Sequence, residues 1–430
     1  MDDSIQTKID SDQDVHPSFA EAAAYWTKLG FMSFGGPAGQ IAMMQTECVD
    51  KRGWISQGAF LRGLNYSMLL PGPEAQQLAA YIGWRMHGIK GAIYAGTAFF
   101  LPGTVLMIVL AWIAAAYGGD GAVAAIFAGI KPVVVAIVIG AVYRIGRKTC
   151  NGPVPIILAA AAFSALQFTE TPFPVVVLAA GVAGIVIAKF LPHALTMGHG
   201  EHAAPESHEA HAAKGSLKRF VRVTVIFLIA LIGPSALVIA LFGAEPFVDV
   251  LKLFTTAAFV TFGGAYAVLP FVADAGVNTY GWLSGGDMLN GLALAETTPG
   301  PLILVTTYVG FFAGWNNGGL FAGVLAALLT TYVTFLPSFY LIIAGAPYVE
   351  SIQRFAWARN ALSAITAAVV GVILSLAIFL GSAALIHDGE VQWIGIAVAV
   401  VSLALLVSGR VGIPMLVALG AAFGLVTAFI

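Results

Sequence analysis

Apolar runs close to 20 residues long recur down the chain, separated by short polar or glycine-rich breaks. A helix needs about 20 apolar residues to cross about 30 Å of hydrocarbon, so the pattern predicts a polytopic all-α membrane protein. The short alternating segments of a transmembrane β-barrel are absent from the sequence. Spans are expected at 18–46, 57–86, 88–117, 120–146, 153–168 and 172–192. A lone span follows at 220–243. A second set lies at 248–275, 286–312, 317–345, 350–381, 391–408 and 411–429. Six, one and six make 13 expected crossings. Residues 1–17 read as an acidic tail and 193–219 as a polar linker. The first membrane repeat is expected at 18–192 and the second at 248–430.

The two sets are related. Phe34-Gly35-Gly36-Pro37, Gly53-Trp54-Ile55-Ser56 and Pro71-Gly72-Pro73 return as Phe262-Gly263-Gly264, Gly281-Trp282-Leu283-Ser284 and Pro299-Gly300-Pro301. The offset is a constant 228 residues, and 15 of the 43 positions from Phe31 to Pro73 are identical. Chance similarity between apolar segments would match Ala, Leu and Val. Here Gly, Pro, Trp and Ser match at fixed spacing, which marks an internal duplication. Six spans plus one linking span is an odd number, so the second half is expected to enter the membrane from the opposite side. Such inverted repeats are the architecture of many secondary transporters.

Composition sharpens this picture. The chain is 59% hydrophobic and 10% charged, with mean hydropathy +0.89, against about 25% charged in an ordinary soluble domain. Of the 20 basic residues, 16 fall in the first 222 positions, with 14 of the 22 acidic ones. With the N-terminus in the cytoplasm, Arg85, Lys90, Arg144, Arg147, Lys148, Lys214, Lys218, Arg219, Arg222 and Arg410 fall inside, as the bias of Lys and Arg requires. Lys51 and Arg52 remain outside on this reading, with Arg62 just into the next span. The C-terminus is expected outside. The acidic start has no basic n-region, so no cleavable signal peptide is expected. Cys48 and Cys150 are isolated and suggest neither a metal cage nor a disulfide framework.

Candidate chemistry lies at the breaks. Paired glycines interrupt a helix, and a following proline suits the first position of a new one. Gly35, Gly36 and Pro37 make one break and Pro71, Gly72 and Pro73 another. Gly263 and Gly264, without the proline, and Pro299, Gly300 and Pro301 repeat them. Broken helices at membrane depth are tolerated where the freed backbone is buried in protein or lines a polar cavity. Each restarting half-helix offers unpaired N–H groups and the positive end of its dipole, which suits an anion. Polar residues cluster nearby: Lys28, Gln40, Arg62, Asn65, Glu74, Gln76 and Gln77, then Asn290, Glu296, Thr297 and Thr298. A charge inside a span is costly and therefore a functional candidate. Lys28 and Arg62 either face an anion or snorkel to the interface. Glu74 and Glu296 repel an anion and suit ion coupling, though Glu74 equally suits a helix N-terminus. Trp54 and Trp282 are expected to anchor at the interface. The five histidines from His193 to His211 lack tight ligand spacing and read as a tether. No phosphate loop, dinucleotide fingerprint or Cys/His cage is present in the sequence. No catalytic residues, cofactor or metal are expected, and nucleic acid is not among the partners.

With these motifs the sequence resembles the chromate ion transporter family, in the long form in which two homologous halves are fused. The resemblance covers nearly the whole chain. It implies a multi-pass protein of the bacterial-type cytoplasmic membrane that expels chromate and confers resistance. On that implication the substrate-binding set is Lys28, Gly35, Gly36, Pro37, Gln40, Arg62, Asn65, Pro71, Gly72, Pro73, Gln76, Gly263, Gly264, Asn290, Thr297, Thr298, Pro299, Gly300 and Pro301. Glu74 and Glu296 are the ion-coupling pair. Partners are the lipid bilayer and chromate or a related tetrahedral oxyanion; a homodimer is left open. A permease or exchanger for sulfate or another oxyanion is the alternative on the same scaffold. A membrane-embedded enzyme is the rival of another class, but no nucleophile or ligand set stands beside the polar cluster.

Overall fold

The computed structural model describes residues 17–34, 36–169, 171–191, 217–348, 356–387 and 389–428. Gly35, most of the acidic tail and the His-rich stretch lie outside the described residues. The chain is helical almost throughout, and among the described residues its one sheet is a two-residue hairpin, β1 (Ile386–His387) with β2 (Glu390–Val391).

The first half opens with α1 (Phe19–Met32) and α2 (Gly36–Met44), which runs on as a π-helical turn, Gln45–Lys51. A continuous helix would place residues 21 and 52 about 45 Å apart at 1.5 Å per residue. Instead Arg52 lies 3.6 Å from Glu21. Its guanidinium also stacks 4.7 Å over Trp54, whose ring meets Tyr25 at 5.5 Å. The segment is a hairpin that returns to its starting side. The next is too. Here α3 (Gln57–Leu69) is followed by α4 (Glu74–Tyr117), which divides at His87 and Gly88 into a short arm, 74–86, and a long arm, 89–117. A Cβ on Gly63 would fall 2.2 Å from the Tyr81 ring, so α3 and the short arm run back to back. His87 Nε2 then meets the Pro17 carbonyl at 3.0 Å, which puts both hairpin bases at one end.

The second half repeats this. Before it stand α5 (Gly121–Thr149), α6 (Pro153–Phe168), α7 (Phe173–Phe190) and the linking α8 (Leu217–Phe242). Its own elements are α9 (Phe247–Val260), α10 (Ala265–Asp274) with a π turn Ala275–Thr279, α11 (Gly285–Thr297), a 3₁₀ turn Leu302–Leu304 and α12 (Val305–Gly345). Helix α12 divides at Gly318 and Gly319 into arms 305–317 and 320–345. Gly291 packs on the Tyr308 ring as Gly63 does on Tyr81, and Asn316 Nδ2 donates to the Trp282 carbonyl at 2.7 Å. The chain ends with α13 (Ala356–Leu385), α14 (Trp393–Val407) and α15 (Ile413–Ala428).

The expected crossings at 18–46, 57–86, 248–275 and 286–312 are therefore corrected to four helical hairpins. Backbone conformation is the reason. The tips carry glycines in the left-handed region at matching positions: Gly36 at φ 74° and Gly264 at 95°, Gly72 at 119° and Gly300 at 101°. That conformation reverses the chain where a proline alone would only kink it. Among the described residues, six helices are long and apolar enough to cross a membrane and three shorter ones are apolar. Trp54 and Trp282 are buried in the hairpin bases, not spread at the interface, because Tyr25 and Tyr280 pack against them.

The halves meet about a pseudo-two-fold axis. Phe100-Leu101-Pro102-Gly103 in the long arm of α4 faces Phe335-Leu336-Pro337-Ser338 in α12, and the Phe100 and Phe335 rings stack at 4.0 Å and 5°. Each half clasps the other. Helix α5 packs through Gly129 on Gly420 and Gly424 of α15, while α13 packs through Gly371 on Ala159 of α6. Small residues permit these close crossings, as they do between helices in lipid.

Candidate functional site

The four hairpin tips converge, each half's Pro-Gly-Pro tip on the other half's Gly-Gly tip. Gly72 N–H donates to the Thr261 carbonyl at 2.8 Å. At the pseudo-symmetric position Gly300 N–H donates to the Ser33 carbonyl and Oγ, both at 3.0 Å. Gln40 Nε2 ties the second crossing, donating to Ser33 O at 2.9 Å and Gly300 O at 2.8 Å. Gln77 Nε2 ties the first, donating to Pro71 O at 2.7 Å and Ser338 Oγ at 3.3 Å. The amides of Gly72 and Gly300 thus join the halves. The donors left at the tips belong to the turns that follow, because the first-turn N–H groups of a helix have no intrahelical acceptor. Helices α2, α10, the short arm of α4 and the Leu302–Leu304 turn all start here.

Side chains add capacity. Gln76 is fully buried beside Gly96 and Phe339, yet neither atom of its amide has a protein partner. The buried Oε1 atoms of Gln40 and Gln77 and Oδ1 of Asn290 are likewise unpartnered. A buried polar atom without a partner costs about 1–3 kcal/mol, so such atoms at a crossing of broken helices mark a place that takes a polar occupant. Glu74, half-buried, comes within 3.7 Å of where a Cβ on Gly264 would stand. Glu296 accepts a short hydrogen bond from Tyr266, and Arg144 of α5 interacts with both. Thr297 and Thr298 spend their hydroxyls on carbonyls of α11. Phe34, Ala38 and Gly263 are exposed, so the tips are reachable from outside the protein interior.

The structure thus gathers Gly36, Pro37, Gln40, Pro71, Gly72, Pro73, Glu74, Gln76, Gly263, Gly264, Glu296 and Pro299 to Pro301 about the crossings. Lys28, Arg62 and Asn65 are exposed on α1 and α3, away from the tips. Sequence reasoning missed Ser33, Thr261, Ser338, Tyr266 and Arg144. The Phe-Leu-Pro repeat at an offset of 235 residues would have exposed Ser338, since it pairs with Gly103. Arg144 was counted only as a loop cation.

The sequence profile described as "Chromate transporter" matches residues 20–185 and again 248–425, two regions whose starts are 228 residues apart. A probable chromate transport protein of Synechococcus elongatus is 29% identical over 387 residues, 89% of this chain and 90% of the relative. A chromate transport protein of Pseudomonas aeruginosa is 32% identical over 361 residues, covering 83% and 79%. One from Cupriavidus metallidurans is 28% identical over 404 residues, covering 94% and 91%. No solved structure matches.

Proposed function

Because this chain belongs to the chromate transporter family, whose profile covers both of its halves, we propose that it exports chromate across the cytoplasmic membrane by alternating access and so confers resistance. The observation that carries the reading is the convergence of helix N-termini from two clasped repeats on one set of tips. Chromate is a tetrahedral dianion, and backbone N–H groups at helix starts bind such ions without a full counter-charge. Glu74 and Glu296 serve as ion-coupling groups beside the path.

The repeats also differ in packing. Helix α10 buries Ala265, Ala267, Val268, Leu269, Val272 and Ala273, whereas its counterpart α2 buries Gln40 and Met44. One pair of hairpins is seated on the bundle and the other stands away from it. Exchange of the two packings between the halves moves access from one side to the other, as rigid-body rocking of repeats does in other transporters.

The hairpins change the topology proposed for the chain. Six longer and three shorter apolar helices among the described residues give nine crossings, still an odd number, so the halves remain inverted. Lys51, Arg52 and Arg62 now fall on the cytoplasmic side with Arg85 and Lys90, which removes the exceptions to the positive-inside bias. Reporter fusions after Trp54 should read cytoplasmic and those after Trp282 external. Two fusions on one side would remove the inverted repeat, and the reverse assignment would restore crossing spans in place of hairpins.

The function itself is tested by chromate flux into inside-out vesicles with membrane potential and pH gradient set separately. The inside-negative potential of a cell favours anion exit by about 2.3 kcal/mol per charge per 100 mV. Uncompensated exit of a dianion should therefore respond to potential by about 4.6 kcal/mol per 100 mV, about 2,000-fold in the gradient sustained at 1.4 kcal/mol per decade. Absence of chromate flux above that of empty vesicles, with sulfate carried instead, would assign the scaffold to another oxyanion.

A further inference from the structure

Helix α5 carries Arg144 between two packed positions. Gly140 lies against Leu406 and Gly146 against Val370, so Arg144 belongs to the packed stretch of α5 and not to its free end. Its guanidinium reaches across the repeat boundary to Tyr266 in the first turn of α10 and to Glu296, three residues before the Pro299 tip. Tyr266 donates its hydroxyl to Glu296. The arginine is exposed while Tyr266 and Glu296 are half-buried. The cation therefore forms the open side of the group. On the same flank Thr366 of α13 approaches exposed Gly263, within 3.6 Å of where its Cβ would stand.

The duplication shows that this group is no part of the shared scaffold. At the 228-residue offset Ala38 stands for Tyr266 and Met68 for Glu296. At the 235-residue offset of the long helices Phe379 stands for Arg144. The scaffold is built twice and the charges once. A pair that only held the fold would be needed equally in both halves.

We propose that Arg144 is the cation that receives the oxyanion, and that Glu296 is its resident counter-ion, displaced or neutralised when the anion binds. An oxyanion offers a guanidinium the same bidentate acceptor geometry as a carboxylate, and Arg suits that exchange better than Lys does. Tyr266 is a positioning residue: it holds Glu296 aside through its hydroxyl. Protonation of Glu296 removes the competing charge, so anion binding is coupled to proton uptake from the same aqueous side. The other charged or titratable groups on the packed elements are Glu74 at Gly264, Lys131 at Gly286, Asp287 at the base of α11, Tyr308 on α12 and Arg359 on α13. Lys131 and Asp287 lie at the far end of α11 from Glu296, as the contact of Lys131 Nζ with the Gly286 position shows. This inference rests on the reading that the chain carries an oxyanion. Wild-type chromate flux tests that reading separately.

The test is the KM for chromate in proteoliposomes as a function of pH, with melting of each purified variant alongside. Arg144→Gln should raise KM at least tenfold, with Arg144→Lys between it and wild type. In wild type KM should rise with pH as Glu296 ionises and takes Arg144 back. Glu296→Gln should lower KM at high pH and flatten this rise, whereas Glu74→Gln should keep it. Each variant is compared with wild type at the same pH, so titration of chromate itself cancels. If Arg144→Gln unfolds through the stranded carboxylate, Arg144→Gln with Glu296→Gln restores a neutral pair and should fold while keeping the high KM. A folded Arg144→Gln, alone or paired, with wild-type KM would overturn the proposal. So would Glu296→Gln with the wild-type pH slope.

Discussion

Gly72→Ala and Gly300→Ala are each expected to lower the melting temperature and stop transport, because each separates the two halves at their meeting point. Both glycines sit at φ above 100°, a region that L side chains rarely adopt. A Cβ on Gly72 would stand 2.6 Å from Ser338 Oγ, and one on Gly300 would stand 2.9 Å from Leu304 Cδ1. The backbone must shift to make room, and that shift withdraws the N–H from Thr261 or Ser33. Strain of this kind costs about 1–3 kcal/mol and a stranded buried carbonyl about as much, so the sum is about 2–6 kcal/mol. Native proteins hold about 5–15 kcal/mol in total. Adding Ser338→Gly to Gly72→Ala should recover part of the loss, since the symmetry-related residue is already Gly103, but not the part due to φ. Melting curves and chromate flux on the single and double variants check this. A Gly72→Ala protein that melts and transports like wild type would show that the crossing is not tight.

Much of this centre was legible in the sequence, and the reasons for what was not are physical. Glycine, proline and tryptophan at a fixed offset located all four tips, because backbone conformations that only these residues supply must be encoded locally. The direction taken by the chain at a tip is not encoded that way. A Gly-Gly or Pro-Gly-Pro break permits either a kinked crossing or a reversal, and the choice is made by tertiary contacts such as Gly63 on Tyr81 and Arg52 on Glu21. Lengths agreed with crossing, since two half-helices of a hairpin sum to one span. The positive-inside rule held the clue, in that Lys51 and Arg52 stood on the wrong side of a crossing. Arg144 was hidden for the opposite reason. Near Arg147 and Lys148 it read as one more loop cation, and only the length of α5 places it inside the bundle.

Gln76→Leu is the second large effect expected, and it separates function from folding. Gln76 is fully buried with both amide atoms unpartnered, and the other half has Leu304 at the same position. An unsatisfied buried amide costs the fold about 1–3 kcal/mol, so leucine should leave the protein as stable as wild type or more so. If the amide is kept for a passing oxyanion, its loss removes one hydrogen bond to a charged group, about 1.5–3 kcal/mol or roughly 10- to 150-fold in affinity. The measurement is chromate KM in proteoliposomes together with the melting temperature of the same purified protein. The site between the hairpin tips requires an unchanged or higher melting temperature with KM raised at least tenfold. A Gln76→Leu protein that melts higher and transports chromate with the wild-type KM would place the anion path elsewhere.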